Sequence, residues 1–80
     1  MSAVDRLLNL NKPIIVNRDL SGNIYVSYEN SKVKDGCMLA GIVGRGSTFE
    51  YACEEYLKKI SGKTLVFNAI SESRQEVTVL

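Results

Sequence analysis

The chain has 80 residues, ten of them basic and nine acidic, with a formal net charge of +1, two cysteines, one proline, and neither histidine nor tryptophan. At 45% hydrophobic and 24% charged residues it has the composition of a folded domain rather than of a disordered segment. No apolar run nears the roughly 20 residues of a membrane span, no basic-then-apolar leader opens the chain, and near-neutral charge disfavours a nucleic-acid binder. One small domain over residues 1–80, in the cytosol and away from membranes, is the expectation.

In chain order, Ser2 and Asp5 have the form of a capping box with a shorter acid. They predict a helix to about Leu10, with Val4, Leu7 and Leu8 as its buried stripe. Asn9, Asn11 and Pro13 stop it. The β-branched run Ile14-Ile15-Val16 predicts a first strand from Pro13 to Arg18, and Ser21-Gly22-Asn23 turns the chain into a second. That second strand, Ile24 to about Asn30, alternates: Ile24, Val26 and Tyr28 on one face, Tyr25, Ser27 and Glu29 on the other. Asn30 through Gly36 reads as a polar loop, and Cys37–Val43 as a third strand interrupted by Gly41.

The clearest period belongs to a helix from about Thr48 to Ile60. Phe49, Ala52, Cys53, Tyr56, Leu57 and Ile60 recur every 3.6 residues. Ser47 and Glu50 form its expected capping box, Lys58 and Lys59 suit its C-terminal dipole, and Gly62 its left-handed cap. Lys63–Ala69 follows as a fourth strand with Leu65 and Phe67 inward, Ser71–Arg74 as a turn, and Glu76–Leu80 as a fifth strand with Val77 and Val79 on one face. The order α-β-β-β-α-β-β predicts an α+β fold: an antiparallel sheet of four or five strands with the long helix packed on one face. So small a core also predicts a homodimer, paired through strand two, strand five or the uncovered sheet face.

The residue inventory is poor in chemistry. Without histidine the chain lacks the commonest general base and metal ligand, and two cysteines fall short of a structural zinc site. Cys37 and Cys53 read as small apolar residues, and Glu50, Glu54, Glu55 and Asp35 as solvated charge. No catalytic residues, metal or cofactor are expected. Gly41-Ile-Val-Gly44-Arg45-Gly46-Ser47-Thr48 has the Gly-x-x-x-x-Gly spacing of a phosphate loop, but Ser47 stands where that loop needs lysine. Gly44 and Gly46 either shape a strand-to-helix turn or, with Arg45, Ser47, Thr48 and the helix amides, form an anion site. Tyr25 and Tyr51 lie off the core faces and are the candidate contact tyrosines.

The stretch Asp35-Gly36-Cys37 … Gly46-Ser47-Thr48-Phe49-Glu50-Tyr51-Ala52, with Tyr56-Leu57, resembles the HicB-like antitoxin domain over about residues 13–69. The resemblance implies strand-strand-strand-helix-strand order and a partner RNase toxin. The gap from Gly36-Cys37 to Gly46 is longer than that family's, and none of these residues carries its helix-turn-helix or ribbon-helix-helix pattern. The tail Ile60-Ser61-Gly62-Lys63-Thr64-Leu65-Val66-Phe67-Asn68-Ala69 … Glu76-Val77 is similar to short proteins of phage and prophage early regions. That similarity implies a non-enzymatic phage protein of anti-defence type, such as an anti-CRISPR inhibitor, that binds a bacterial host or defence protein. The alternatives are the antitoxin and a sponge for a signal nucleotide.

Overall fold

The computed structural model describes residues 2–79. Local sequence accounts for both helices. α1 (Ala3–Leu8) starts at Ser2, whose hydroxyl accepts from the Asp5 N–H at 3.2 Å and lies 3.0 Å from the Asp5 carboxylate. It ends at Leu8, two residues short of the expected end, with Asn9 as its cap, and Asn11 takes a left-handed φ of 55°. Leu7 is buried and Val4 packs beside it, but Leu8 is 53% exposed. A six-residue helix covers one line of side chains, and Leu8 sits about 100° round from Leu7.

The strands are β1 (Ile14–Arg18), β2 (Ile24–Tyr28), β3 (Ser31–Asp35), β4 (Met38–Ala40), β5 (Gly44–Gly46), β6 (Thr64–Phe67) and β7 (Gln75–Thr78), with α2 (Phe49–Ile60) between β5 and β6. Antiparallel pairing divides them into two sheets, β1-β2-β5 and β4-β3-β6-β7. This is the α+β class read from the sequence, with antiparallel sheets and one main helix.

Three local readings differ. The presumed loop 30–36 contains β3. Only Val33 in its five residues is buried, so no alternation of apolar residues betrays it. The presumed strand Cys37–Val43 is instead two short strands, because Gly41–Val43 carries the chain from one sheet to the other: β4 pairs with β3, β5 with β2. And β2, expected as a free edge, lies in the middle of its sheet, while β7 does lie at an edge.

The core forms where the two sheets meet α2. Ile24, Val26 and Tyr28 come from β2, Val33 from β3, Leu65 and Phe67 from β6, and Ala52, Cys53, Tyr56, Leu57 and Ile60 from the predicted stripe of α2. The Tyr28 ring meets Tyr56 and Phe67 edge-on, each at a centroid distance of 5.7 Å. Its hydroxyl donates to the Leu7 carbonyl and so ties α1 to the sheet. The Tyr56 hydroxyl accepts the Tyr28 N–H at 3.1 Å, at the point where β5 has ended and can no longer pair with β2. Burial pushes the Tyr28 phenol up to about 12. Among the described residues no buried side-chain polar atom lacks a partner.

Val66 is also fully buried, on the opposite face of its sheet, where its cross-strand neighbours are Lys32 and Glu76. Glu76 pairs with Lys34 at 3.4 Å and Arg74 at 3.2 Å on that face. The expected turn chemistry is also present. Asp19 Oδ1 accepts from the Ser21 and Asn23 N–H groups at 2.9 Å, and Gly22 takes a φ of 88°. Gly62 follows α2 with a φ of 75°.

Candidate functional site

The glycine-rich stretch is a strand laid on a helix. A Cβ on Gly44 would stand 2.2 Å from the Ala52 carbonyl oxygen and 2.4 Å from Tyr56 Cβ, and one on Gly46 would stand 2.5 Å from the Ala52 nitrogen. Only hydrogen at these two positions lets the backbones of β5 and α2 approach so closely. The glycines therefore face the helix, and β5 replaces the loop that the spacing suggested. Helix capping shifts with it: Thr48, not Ser47, is the cap, in extended backbone, with its hydroxyl accepting the Tyr51 N–H at 3.2 Å. Glu50 thus falls one position short of the place from which it would complete a capping box.

Helix side chains also close the free edge of β5. The Arg45 N–H donates to Glu55 Oε1 at 3.0 Å, and the Lys59 ammonium donates to the Val43 carbonyl at 3.0 Å. Glu55 and Lys59 pair at 3.0 Å one turn apart. The Lys59 contact, then the Arg45 amide, hold the Glu55 carboxyl below the usual carboxylate range.

Arg45 alternates with the two glycines and so projects from the sheet face opposite α2. There it lies opposite Tyr25 in the β2–β5 register, its guanidinium 6.0 Å from the tyrosine ring centre. The Tyr25 hydroxyl donates to Asp19 Oδ2 at 2.8 Å. That bond lowers the Asp19 pKa and raises that of Tyr25. Tyr25 is consequently half-buried and engaged, not free as expected. Tyr51 is 60% exposed on the first turn of α2, with Ser47 and Thr48 exposed just before it and Val43 exposed on the approach to β5. The candidate residues therefore separate: Tyr25 and Arg45 occupy one sheet face, Tyr51 and the helix start the other side, with Gly44 and Gly46 between them as packing surface.

No family model, curated protein or solved structure matches this chain.

The cysteines differ. Cys53 is fully buried on the α2 stripe, and burial, then the nearby Glu50 charge, push its thiol up, away from nucleophilic behaviour. Cys37 is exposed in the β3–β4 turn instead of buried, since its neighbour Gly36 takes a left-handed φ of 62° at the tip of that hairpin. No cluster of three metal-ligating side chains occurs among the described residues, and no helix there is long and apolar enough to cross a membrane.

Two surfaces escaped the sequence reading. One is a groove of about 500 Å³ on the outer face of the β1–β2 hairpin, where Ile15 and Ser27 face Asn30, Lys32, Asn68 and Ile70. Asn30 and Asn68, both left-handed, shape its rim, and the Asn68 N–H donates to the Asn30 carbonyl at 3.0 Å. The other is the outer edge of β1, which packs on β2 and makes no comparable contact with any other described element. No side-chain pattern marks that edge, because alternation reports the two faces of a strand, whereas an edge is set by which backbone groups find a partner.

Proposed function

We propose that this chain is a non-enzymatic phage protein that inhibits a bacterial host or defence protein by binding it in the cytosol. The observation that carries the reading is the corner of β5 and α2. Arg45 is exposed on the outer sheet face there and Tyr51 on the helix side, with Val43 exposed on the approach to β5, all on backbone held by the Gly44–Ala52 approach and the Glu55–Lys59 clasp. A preorganised aromatic and an arginine are the residue types that concentrate binding energy at protein interfaces, because little entropy is lost when they are covered. The absence of histidine and the buried, raised thiol of Cys53 support the non-enzymatic part. Action as a homodimer, without cofactor, belongs to the same reading.

Capture from a bacterial lysate with the full chain, in parallel with the Arg45→Ala/Tyr51→Ala double variant, tests it. A stoichiometric protein partner retained by the wild type and lost by the folded variant is expected. An RNase toxin as that partner would move the reading to the antitoxin. Equal capture by both chains would remove the corner from the interface.

The exposed Ser47 and Thr48 at the start of α2, with Arg45 across the strand from them, also favour a second reading, a sponge for a phosphate-bearing nucleotide. With Gly44 and Gly46 turned toward the helix, a single phosphate is expected to bind no tighter than roughly millimolar. Calorimetric titration with cyclic di- and trinucleotides separates the two. Micromolar affinity that disappears in Arg45→Ala would replace the inhibitor with the sponge.

A further inference from the structure

We infer that the outer edge of β1 is the site at which a second copy of this chain adds its own β1, in a single antiparallel register centred on Val16. The inference is independent of the target-binding corner, which lies at the opposite edge of the same three-stranded sheet.

The backbone determines which groups are free. The Asp19 N–H donates to the Asn23 carbonyl at 3.0 Å and the Glu29 N–H to the Pro13 carbonyl at 2.9 Å. In the antiparallel register of β1 and β2, the odd-numbered residues of β1 therefore bond to β2. The N–H and C=O groups of Ile14, Val16 and Arg18 point away from the sheet. Two copies related by a two-fold axis at Val16 set Val16 opposite Val16, and Ile14 opposite Arg18 at both ends. Every one of these pairs joins two outward-facing residues, so all three are hydrogen-bonded pairs and together supply six backbone bonds. A register shifted by one residue would oppose outward groups to inward ones and supply none.

Side chains agree with the backbone. Ile15 and Val16 are 39% and 51% exposed, and β1 has no charge before Arg18. In the two-fold register Arg18 meets Ile14 of the second copy rather than another arginine. Lys12, the next cation along the chain, is turned toward Gln75 and the Phe67 ring. The other edges are less suited. β5 is closed by Glu55 and Lys59, β4 has three residues, and β7 has charged Glu76 among its four. The product is a six-stranded sheet, β5-β2-β1-β1-β2-β5, with a β5–α2 corner at each end.

Sedimentation equilibrium of the full chain tests the inference. A lone strand pair is smaller than a standard interface, so dissociation is expected in roughly the 10–500 μM range. Val16→Lys sets two ammonium groups directly opposite each other and is expected to weaken the dimer by about tenfold or more with the circular dichroism unchanged. Met38→Lys, on the β4 edge, is expected to leave it unaltered. Crosslinking supplies the register even if Val16→Lys folds poorly. Hydrogen-bonded partners stand about 5.5 Å apart at Cα, within the reach of a disulfide. Oxidised Val16→Cys/Cys37→Ser should therefore form a covalent dimer, and Ile15→Cys/Cys37→Ser should not. A wild-type chain that stays monomeric at roughly 1 mM, a folded Val16→Lys chain that dimerises normally, or preferential crosslinking from position 15 would overturn the inference.

Discussion

At the scale of single residues, the glycines near the long helix illustrate how one sequence signal can serve two physical ends. Gly-x-x-x-x-Gly spacing before a helix suits a phosphate loop, and it equally suits a strand that must lie against helix backbone. The two uses differ in what occupies the missing Cβ, and at Gly44 and Gly46 the helix does. Gly44→Ala would place carbon against backbone atoms that cannot rotate away, and is expected to destabilise the fold by about 2 kcal/mol or more. Gly41→Ala has nothing within 4 Å of its new carbon and no left-handed φ, so it should be neutral or slightly stabilising. Urea unfolding of both variants checks the pair, and equal losses would show that the close approach does not govern stability. Tyr28 and Tyr56 show the complementary economy. Each buries a ring in the core and turns its hydroxyl to backbone: Tyr56 to the Tyr28 N–H, beyond the reach of β5, and Tyr28 to the Leu7 carbonyl of α1.

At the scale of elements, α2 organises the molecule. Its stripe touches both sheets, its first two turns receive β5, and its Glu55 and Lys59 close that strand's edge. Truncating the stripe should therefore damage more than local packing. Leu57→Ala is expected to cost about 2–4 kcal/mol, from lost burial plus the cavity left behind. Thermal and denaturant unfolding measure it; a loss near zero would mean that the neighbours of Leu57 collapse into the space. The elements legible in the sequence were those with a strong period: α2, β2 with its buried alternate residues, and β6 with Leu65 and Phe67 inward. β3 was not legible, because Lys32, Lys34 and Asp35 outweigh a single inward Val33. The cap of α2 was misplaced by one residue because Ser47 and Thr48 are both good cap types. The close approach of Gly46 to Tyr51 and Ala52, a tertiary fact, decides between them.

At the scale of the whole molecule, the charge network sets the response to pH. Asp19, Glu55 and Glu76 sit in three different places, and each has its pKa lowered by hydrogen bonds: from Tyr25, from Lys59, and from Arg74 with Lys34. A lowered folded value means the unfolded chain binds protons first. The contribution of these groups is present above the ordinary carboxylate range and is lost as pH falls through the lowered values. The melting temperature should therefore hold from neutrality to the top of that range and then decline, with a shallower decline in Glu55→Gln. On the alkaline side the sign reverses. The Tyr28 phenol, raised to about 12, contributes stability that is complete below its ordinary value of 10.0 and is lost as pH rises toward the folded one. Melting curves across the pH range check both limbs, and an acid limb unchanged in Glu55→Gln would sink the first.

By itself the sequence determined the class and most of the core: the long helix and its buried stripe, the alternation of β2 and the inward residues of β6. Those features are local, because side-chain period, capping oxygens and turn residues act over three to five positions. Only the tertiary structure decided that the strands form two sheets rather than one, that β2 is central, that β5 is a strand guarded by Glu55 and Lys59, and that β1 keeps an open edge. Strand pairing joins residues far apart in sequence, and its outcome depends on which backbone groups remain unpaired after every other element has packed.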